Sequence, residues 1–396
     1  MAIESEKNEG ERFTYLDNNA TTPMLEQARI ALAERLLDGN ASSMYALGRK
    51  SKAFVEDARK GFAELLGCVP DDVIFTSGAT ESNDTVLNIA KRLIREKGGR
   101  ILSSAIEHPS IIETLKRFKA DDGVEYSLCP VDGGGRIIVS ELEKELAKGD
   151  VVLTSIMAAN NETGVIQPVS QACDLAHRHG SLFHTDATQI LGKGDFDFNA
   201  GGYDYASCSA HKFYGPKGVG ALVVRSGRPY YPLLTGGHQE GGRRSGTYNS
   251  TCAYAAGIAA RAAKADIRSE AGRLAALRDR LREGLLERVP DISFNGNPDY
   301  LVPNTLNVSF RNVEGESILL MLDFEGICVS TGSACATGSL EPSYVLLASG
   351  TPIEDAHSSI RFSLGRENTG EDIDYVLEKL PPIIERLRQI STRGRK

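Results

Sequence analysis

Val73-Ile74-Phe75-Thr76-Ser77-Gly78-Ala79-Thr80-Glu81-Ser82-Asn83 decides how the rest of the chain is read. An apolar run ends in small and hydroxylated residues. The stretch Glu81 to Lys97 then sets Val86, Ile89, Ala90, Leu93 and Ile94 at the spacing of one helix face. This is strand, turn, helix. The alternation recurs downstream: Ile101-Leu102, Val151 to Met157, Ser181 to Thr185 and Gly220 to Val224 are apolar runs, and Ile111 to Phe118 and Val169 to His179 are helical patterns. Alternating strand and helix predicts an α/β fold whose large domain is a mostly parallel sheet covered by helices. Such sheets bind their ligands beyond the carboxyl ends of the strands. The small residues Ser77 to Thr80 would let backbone N–H groups and the Thr80 hydroxyl face an anion there, or would serve as a plain capped turn. There is no Gly-Lys-Ser/Thr ending, so the turn is not a Walker loop.

The pattern changes further along. Ala259 to Val289 is rich in Ala, Arg, Leu and Glu and predicts one long helix or two abutting ones. Asn304 to Phe310, Ile327 to Ser330 and Ile360 to Leu364 read as short strands. Glu371 to Ile390 reads as a helix that Pro381-Pro382 should kink or restart. A chain of 396 residues exceeds one ordinary core, so two domains are expected. We expect a polar tail over residues 1–14, a large domain over 15–262 and a smaller α+β domain over 263–396.

A net charge of −8 supplies no basic excess to neutralise phosphates, which argues against a direct nucleic-acid partner. No apolar run has the length of a membrane span, and Met1 to Arg12 lacks an apolar signal core. Seven cysteines, an odd number with wide spacing and no Cys-x-x-Cys, argue against a disulfide framework or a structural zinc site. A cytoplasmic protein without a metal is the expectation.

Five segments carry polar groups suited to one site. In Ser209-Ala210-His211-Lys212-Phe213-Tyr214-Gly215-Pro216-Lys217-Gly218, Lys212 lies between a glycine- and proline-rich turn and the preceding run. Desolvation there would turn its ammonium into a nucleophilic amine able to form a Schiff base. Asp186, in His184-Thr185-Asp186-Ala187-Thr188-Gln189, falls at the end of an apolar run and reads either as a helix N-cap or as a carboxylate that keeps a ring nitrogen protonated. His108, in Glu107-His108-Pro109-Ser110, is held extended by the proline that follows it. Asn161, in Asn160-Asn161-Glu162-Thr163-Gly164, suits a turn or a ligand. With the Ser77–Thr80 turn, these groups follow one another in an order that five accidents would rarely give.

These blocks resemble the fold-type I pyridoxal-phosphate enzymes, and within them the cysteine desulfurases of the NifS/IscS type. The likeness runs from Tyr15-Leu16-Asp17-Asn18-Asn19-Ala20-Thr21-Thr22-Pro23 to Ser359-Ile360-Arg361-Phe362-Ser363-Leu364. It implies pyridoxal 5'-phosphate as cofactor, Lys212 as the Schiff-base lysine, Asp186 as partner of the pyridine nitrogen and Gln189 as partner of the phenolate oxygen. His108 would stack on the ring and move protons, and Asn161 would meet both cofactor and substrate. Ala79, Thr80, Ser209 and His211 would cradle the phosphate, completed by Thr247 from a neighbouring subunit of a homodimer. Arg361 would fork onto the substrate carboxylate, a role that suits a planar guanidinium.

One thiol narrows the reaction. Cys335 lies in Ser330-Thr331-Gly332-Ser333-Ala334-Cys335-Ala336-Thr337-Gly338-Ser339-Leu340, a stretch of small residues that is exposed and adaptable as a rule. By itself it reads either as a surface cysteine without a role or as a nucleophile. The resemblance implies the latter: Cys335 takes sulfur from L-cysteine as a persulfide, L-alanine leaves, and the sulfur passes to an acceptor protein such as an iron–sulfur scaffold or a tRNA-thiolation partner. The stretch before Glu341-Pro342-Ser343-Tyr344 resembles the longer-loop class I subgroup. Gly39-Asn40-Ala41-Ser42-Ser43-Met44-Tyr45 departs from the family pattern, with Ala41 for a proline and Tyr45 for a histidine. The alternatives are a selenocysteine lyase, another pyridoxal-phosphate enzyme, or a catalytically silent scaffold that docks sulfur acceptors.

Overall fold

The computed structural model describes residues 12–36, 38–331 and 341–390; Cys335 lies outside the described residues, as does most of the expected tail. The chain opens with strand β1 (Thr14–Tyr15) and helices α1 (Glu26–Glu34) and α2 (Ala46–Leu66). Strand and helix then alternate through β2 (Val73–Thr76), α3 (Ala79–Lys97), β3 (Arg100–Ser104), α4 (Pro109–Asp122), β4 (Tyr126–Cys129), α5 (Val139–Leu146), β5 (Val151–Ser155), α6 (Val169–Arg178) and β6 (Leu182–Asp186). Two further strands, β7 (Tyr205–Ser209) and β8 (Gly220–Val224), complete a seven-stranded sheet of order β2-β8-β7-β6-β5-β3-β4. The sheet is parallel from β7 to β4, whereas β8 runs antiparallel to both β2 and β7. The mostly parallel layer expected from the apolar runs is therefore present. Because β8 alone is reversed, β2, β3, β5, β6 and β7 all end on one edge, where β8 begins.

α3 shows why this sequence makes this element. Val86, Leu87, Ile89, Ala90 and Leu93 are buried on one side, Glu81 sits in its first turn and Arg95 and Lys97 in its last, in keeping with the helix dipole. Gly78 lies at its start, and Gly220 opposite. A Cβ on Gly220 would come within 2.7 Å of Gly78 Cα, so the close approach of β8 to this turn requires glycine.

Helix α7 (Ser250–Arg288) is a single 39-residue element, the first of the two options expected for this stretch. It crosses the expected division at 262/263. Ala253, Ala256, Ala260 and Ala263 pack into the core of the large sheet, while Leu274, Leu281 and Leu285 belong to a second core. That core also takes β9 (Ile292–Asn295), β10 (Thr305–Phe310), α8 (Gly315–Phe324), β11 (Ile327–Cys328), β12 (Ser359–Ser363) and α11 (Gly370–Ile390), with α10 (Ile353–His357) beside β10, whereas α9 (Tyr344–Ala348) turns Val345 and Ala348 to the core of the large sheet. Its sheet is antiparallel, in the order β12-β10-β9. Leu16 is fully buried in this second core, and β1 pairs in parallel with β11, so the start of the described chain packs with its end.

Of the two outcomes expected of the proline pair, a restart is absent: α11 is one helix from Gly370 to Ile390 with Pro381 and Pro382 inside it. Pro381 cannot donate to the Leu377 carbonyl one turn back. Arg288 Nη1 donates to that carbonyl instead, at 2.9 Å, and replaces the lost bond.

Candidate active site

A cavity of about 460 Å³ opens at the carboxyl edge of the large sheet. Ten of the residues singled out in the sequence line it: Ala79, Thr80, His108, Asn161, Asp186, Gln189, Ser209, His211, Lys212 and Arg361. Nine of them lie at the ends of β2, β3, β5, β6 and β7 or in the turns that follow, which is where a doubly wound sheet places ligands, and Arg361 reaches in from the middle of β12 in the second sheet. Thr247 does not line this cavity. It lies on an adjoining one that shares Ser77 and Gly218 with the first.

Helix α3 begins at Gly78 with no side chain among the described residues capping it. Glu81 reaches back to the Ser77 N–H at 2.8 Å, and Arg244 holds Glu81 in turn with Nε 2.9 Å from Oε1. The amides of the first turn, with Thr80, thus face the cavity as an anion cradle of the kind helix N-termini provide. Opposite, burial and then the positive charges of Lys212, Lys217 and Lys193 push His211 down to about 4, so it is neutral at pH 7.

Lys212 Nζ donates to the Asn19 and Ala20 carbonyls at 2.6 and 2.7 Å. Asn19 is a hub. Its carbonyl also accepts from Gln189 Nε2 at 3.0 Å, and its Nδ2 donates to Thr305 Oγ1 at 2.8 Å and to the Asn161 carbonyl at 3.1 Å. Its Oδ1 accepts from Asn304 Nδ2 at 3.1 Å and from Lys193 Nζ at 3.0 Å. One carboxamide thus ties the lysine end of the large sheet to β10 of the second core.

A second chain of bonds runs from Asp186 to His108. Asp186 Oδ2 accepts from Asn83 Nδ2 at 2.8 Å, and the same Nδ2 reaches Ser110 Oγ at 2.9 Å. Ser110 Oγ lies 2.9 Å from His108 Nδ1, which also accepts from the Ser110 N–H at 3.1 Å. With Ser110 accepting from Asn83, its hydroxyl proton points at Nδ1, which leaves Nε2 of the neutral imidazole to carry the ring proton. Burial lowers the His108 pKa below its ordinary 6.5; Asp186 opposes that and Lys212 reinforces it.

Arg361, on β12, is almost fully buried. Its Nη2 pairs with Asp17 Oδ1 at 2.6 Å and its Nη1 donates to the Asn161 carbonyl at 3.0 Å. Its Nε is buried without a partner among the described residues, a donor left over for an anionic ligand. Asn19, Asn83, Ser110 and Lys193 are the residues that sequence reasoning left without a role. Asn83 and Ser110 each close a segment quoted there, one turn into a helix or one residue past the proline. That spacing was the available signal. Lys193 had none.

Fold and cavity define a class: an α/β protein with a lysine amine, a carboxylate and an anion cradle converging at the carboxyl edge of its sheet. The chain belongs to the aminotransferase class-V family, whose model matches residues 14–376. It is 44% identical over 382 residues to a protein of Dictyoglomus turgidum named cysteine desulfurase IscS, with 96% of each chain covered. It is 43% identical over 384 residues to a cysteine desulfurase of Cereibacter sphaeroides, covering 96% of this chain and 98% of that one. Among solved structures it is similar to a NifS-like protein, with a TM-score of 0.89 at 36% identity over 95% of this chain and 100% of that one.

Proposed function

We propose that this chain is a pyridoxal-phosphate-dependent cysteine desulfurase that passes sulfur from L-cysteine to Cys335, releasing L-alanine. The observation that carries the reading is Lys212 and Asp186 sharing one cavity with the uncapped start of α3. The residues present suit the cofactor. An anion cradle meets a phosphate, a buried carboxylate meets a protonated ring nitrogen, and an amine held by two carbonyls meets an aldehyde. Lys212 would hold the cofactor covalently. Ala79, Thr80, Ser209 and His211 would bind its phosphate, with Thr247 supplied by the second subunit of a homodimer. Asp186, Gln189, His108 and Asn161 would meet its ring.

When bound, pyridoxal phosphate supplies the electron sink that lets the Cα proton of cysteine leave and its carbon–sulfur bond break. The chain's own groups do the rest. Arg361, with an unused Nε donor, anchors the substrate carboxylate. Lys212 Nζ carries the proton away from Cα, and a neutral His108 stands ready to hold a second. Cys335 Sγ, as thiolate, attacks the substrate sulfur: an S–S bond forms, the Cβ–S bond breaks, Cβ takes a proton to become the methyl group, and a proton returned to Cα completes alanine. A soft acceptor is required because the departing atom is sulfur.

The substrate class and the transfer to an acceptor protein rest on the relatives' names and on Cys335 in the sequence. An iron–sulfur scaffold is the acceptor we propose, in the reducing cytoplasm. No helix among the described residues is long and apolar enough to cross a membrane. Residues 15–262 and 263–396 act as two units that share α7. The test is alanine production from cysteine by the cofactor-loaded protein. Lys212→Ala is expected to abolish it, and Cys335→Ser to lower it by at least about 100-fold, in line with loss of a nucleophile. Alanine production by Cys335→Ser at the wild-type rate would refute the sulfur-transfer step.

A further inference from the structure

We infer that Lys193 is a positioning residue of the active site, which acts by fixing the orientation of the Gln189 and Asn19 carboxamides. Lys193 follows Gln189 by four residues, in the run of turns after β6, and is buried beside the cavity. Its Nζ lies 2.5 Å from Gln189 Oε1 and 3.0 Å from Asn19 Oδ1. A lysine ammonium has three donors and no acceptor, so while protonated it can face only the oxygen end of each amide.

That constraint matters because the two ends of a carboxamide are nearly the same shape. Which end meets a ligand is decided by the partners of the other end. With Oε1 held by Lys193, Gln189 presents Nε2 on the side of the Asn19 carbonyl, 3.0 Å away, beside Lys212. With Oδ1 held, Asn19 presents Nδ2 to Thr305 and to the Asn161 carbonyl. Rotating Gln189 by half a turn would set its oxygen against the Asn19 carbonyl and its NH2 against the Lys193 ammonium, and both contacts would be repulsive. Lys193 therefore selects one of two states.

A purely structural residue at this position would be cheaper. Both oxygens that Lys193 meets belong to neutral amides rather than carboxylates, so burying an ammonium here is offset by hydrogen bonds alone, and an apolar side chain of similar length would avoid that cost. Burial pushes the Lys193 pKa well below its ordinary 10.5, and the charges of Lys212 and Arg361 push it further.

The inference rests on the proposed cofactor, because the Nε2 donor matters to catalysis only if it meets the oxygen of the pyridoxal ring. The test uses the pyridoxal-phosphate-loaded protein and compares wild type with Lys193→Met, Lys193→Gln, Gln189→Ala and the Lys193→Met/Gln189→Ala pair. The readouts are the visible absorption band and the kcat and KM for cysteine. Lys193→Met is expected to shift the band and lower kcat about tenfold or more, with KM changed less than about threefold, as for a group that acts on the bound cofactor. Lys193→Gln, which keeps an N–H donor for Oε1, should stay closer to wild type. Adding Lys193→Met to Gln189→Ala should move the band no further.

A band unchanged in both single Lys193 variants, or a shift just as large on the Gln189→Ala background, would overturn the inference while leaving the cofactor reading intact. A wild-type protein that takes up no pyridoxal phosphate would overturn both. Lys193→Leu, which also removes the donor, takes the place of Lys193→Met in the comparison if Lys193→Met does not fold.

Discussion

Glu107 sits beside His108, fully buried, and shows how this site handles charge at the scale of one residue. Its Oε1 accepts from Ser104 Oγ at 2.5 Å and from the Met157 N–H at 2.9 Å, while Oε2 has no partner among the described residues. Burial outweighs the two hydrogen bonds and, with the nearby Asp186 carboxylate, pushes its pKa from the ordinary 4.5 up to about 8. The folded chain thus binds this proton more tightly than the unfolded one. Its contribution to stability is fully present below pH 4.5 and is lost as pH rises through about 8. Glu162, raised by burial to about 7, adds the same sign. Glu107→Gln should therefore lose less stability than wild type between pH 5 and 8, as read by denaturant unfolding. Equal slopes for the two would show that Glu107 is ionised in the fold. Legibility also varies residue by residue: Lys212, Asp186 and His108 could be read because each sits in a distinctive segment at a strand end. Lys193 could not, since one lysine after a glycine looks like any surface lysine until its neighbours are known.

At the scale of elements, β2 is held by an ion pair that links distant parts of the chain. Arg59 on α2 grips Glu240 with Nη1–Oε2 and Nη2–Oε1 both at 2.7 Å, and the same carboxylate accepts from the Phe75 N–H at 3.0 Å. Both side chains are buried, so Glu240→Ala leaves an uncompensated guanidinium and should cost about 3–5 kcal/mol in chemical denaturation. Arg288 does a similar task for α11. Without it the Leu377 carbonyl, already bypassed by Pro381, loses its donor, so Arg288→Ala should cost about 1–3 kcal/mol and Arg288→Lys less. The proline pair was legible as a break because local propensity forbids the bond; the remedy lies 93 residues away in sequence, on another helix. β4 was illegible for a different reason. Tyr126-Ser127-Leu128-Cys129 forms an edge strand with only Cys129 buried, so it carries no apolar run.

At the scale of the molecule, two hydrophobic cores meet around Asn19 and Arg361. Arg361 extends from β12 to the Asn161 carbonyl, Asn307 of β10 donates to the Glu162 carbonyl at 3.2 Å, and Asn19 bonds to both units. The site therefore exists only where the units join. The alternation of strand and helix made the large sheet legible, and the order of polar segments made the cavity legible. What could not be read was how the chain's beginning and end pack together, because pairing between β1 and β11 spans 313 residues and leaves no local pattern. The central claim is that this cavity extracts sulfur and delivers it to one thiol. The most direct measurement is intact mass of the pyridoxal-phosphate-loaded protein after brief exposure to L-cysteine, followed by peptide mapping under non-reducing conditions. The predicted result is a gain of one sulfur atom on the peptide that contains Cys335, absent in Cys335→Ser and in Lys212→Ala. A sulfur gain on another cysteine, or alanine formed with no sulfur on Cys335 at any time, would contradict it.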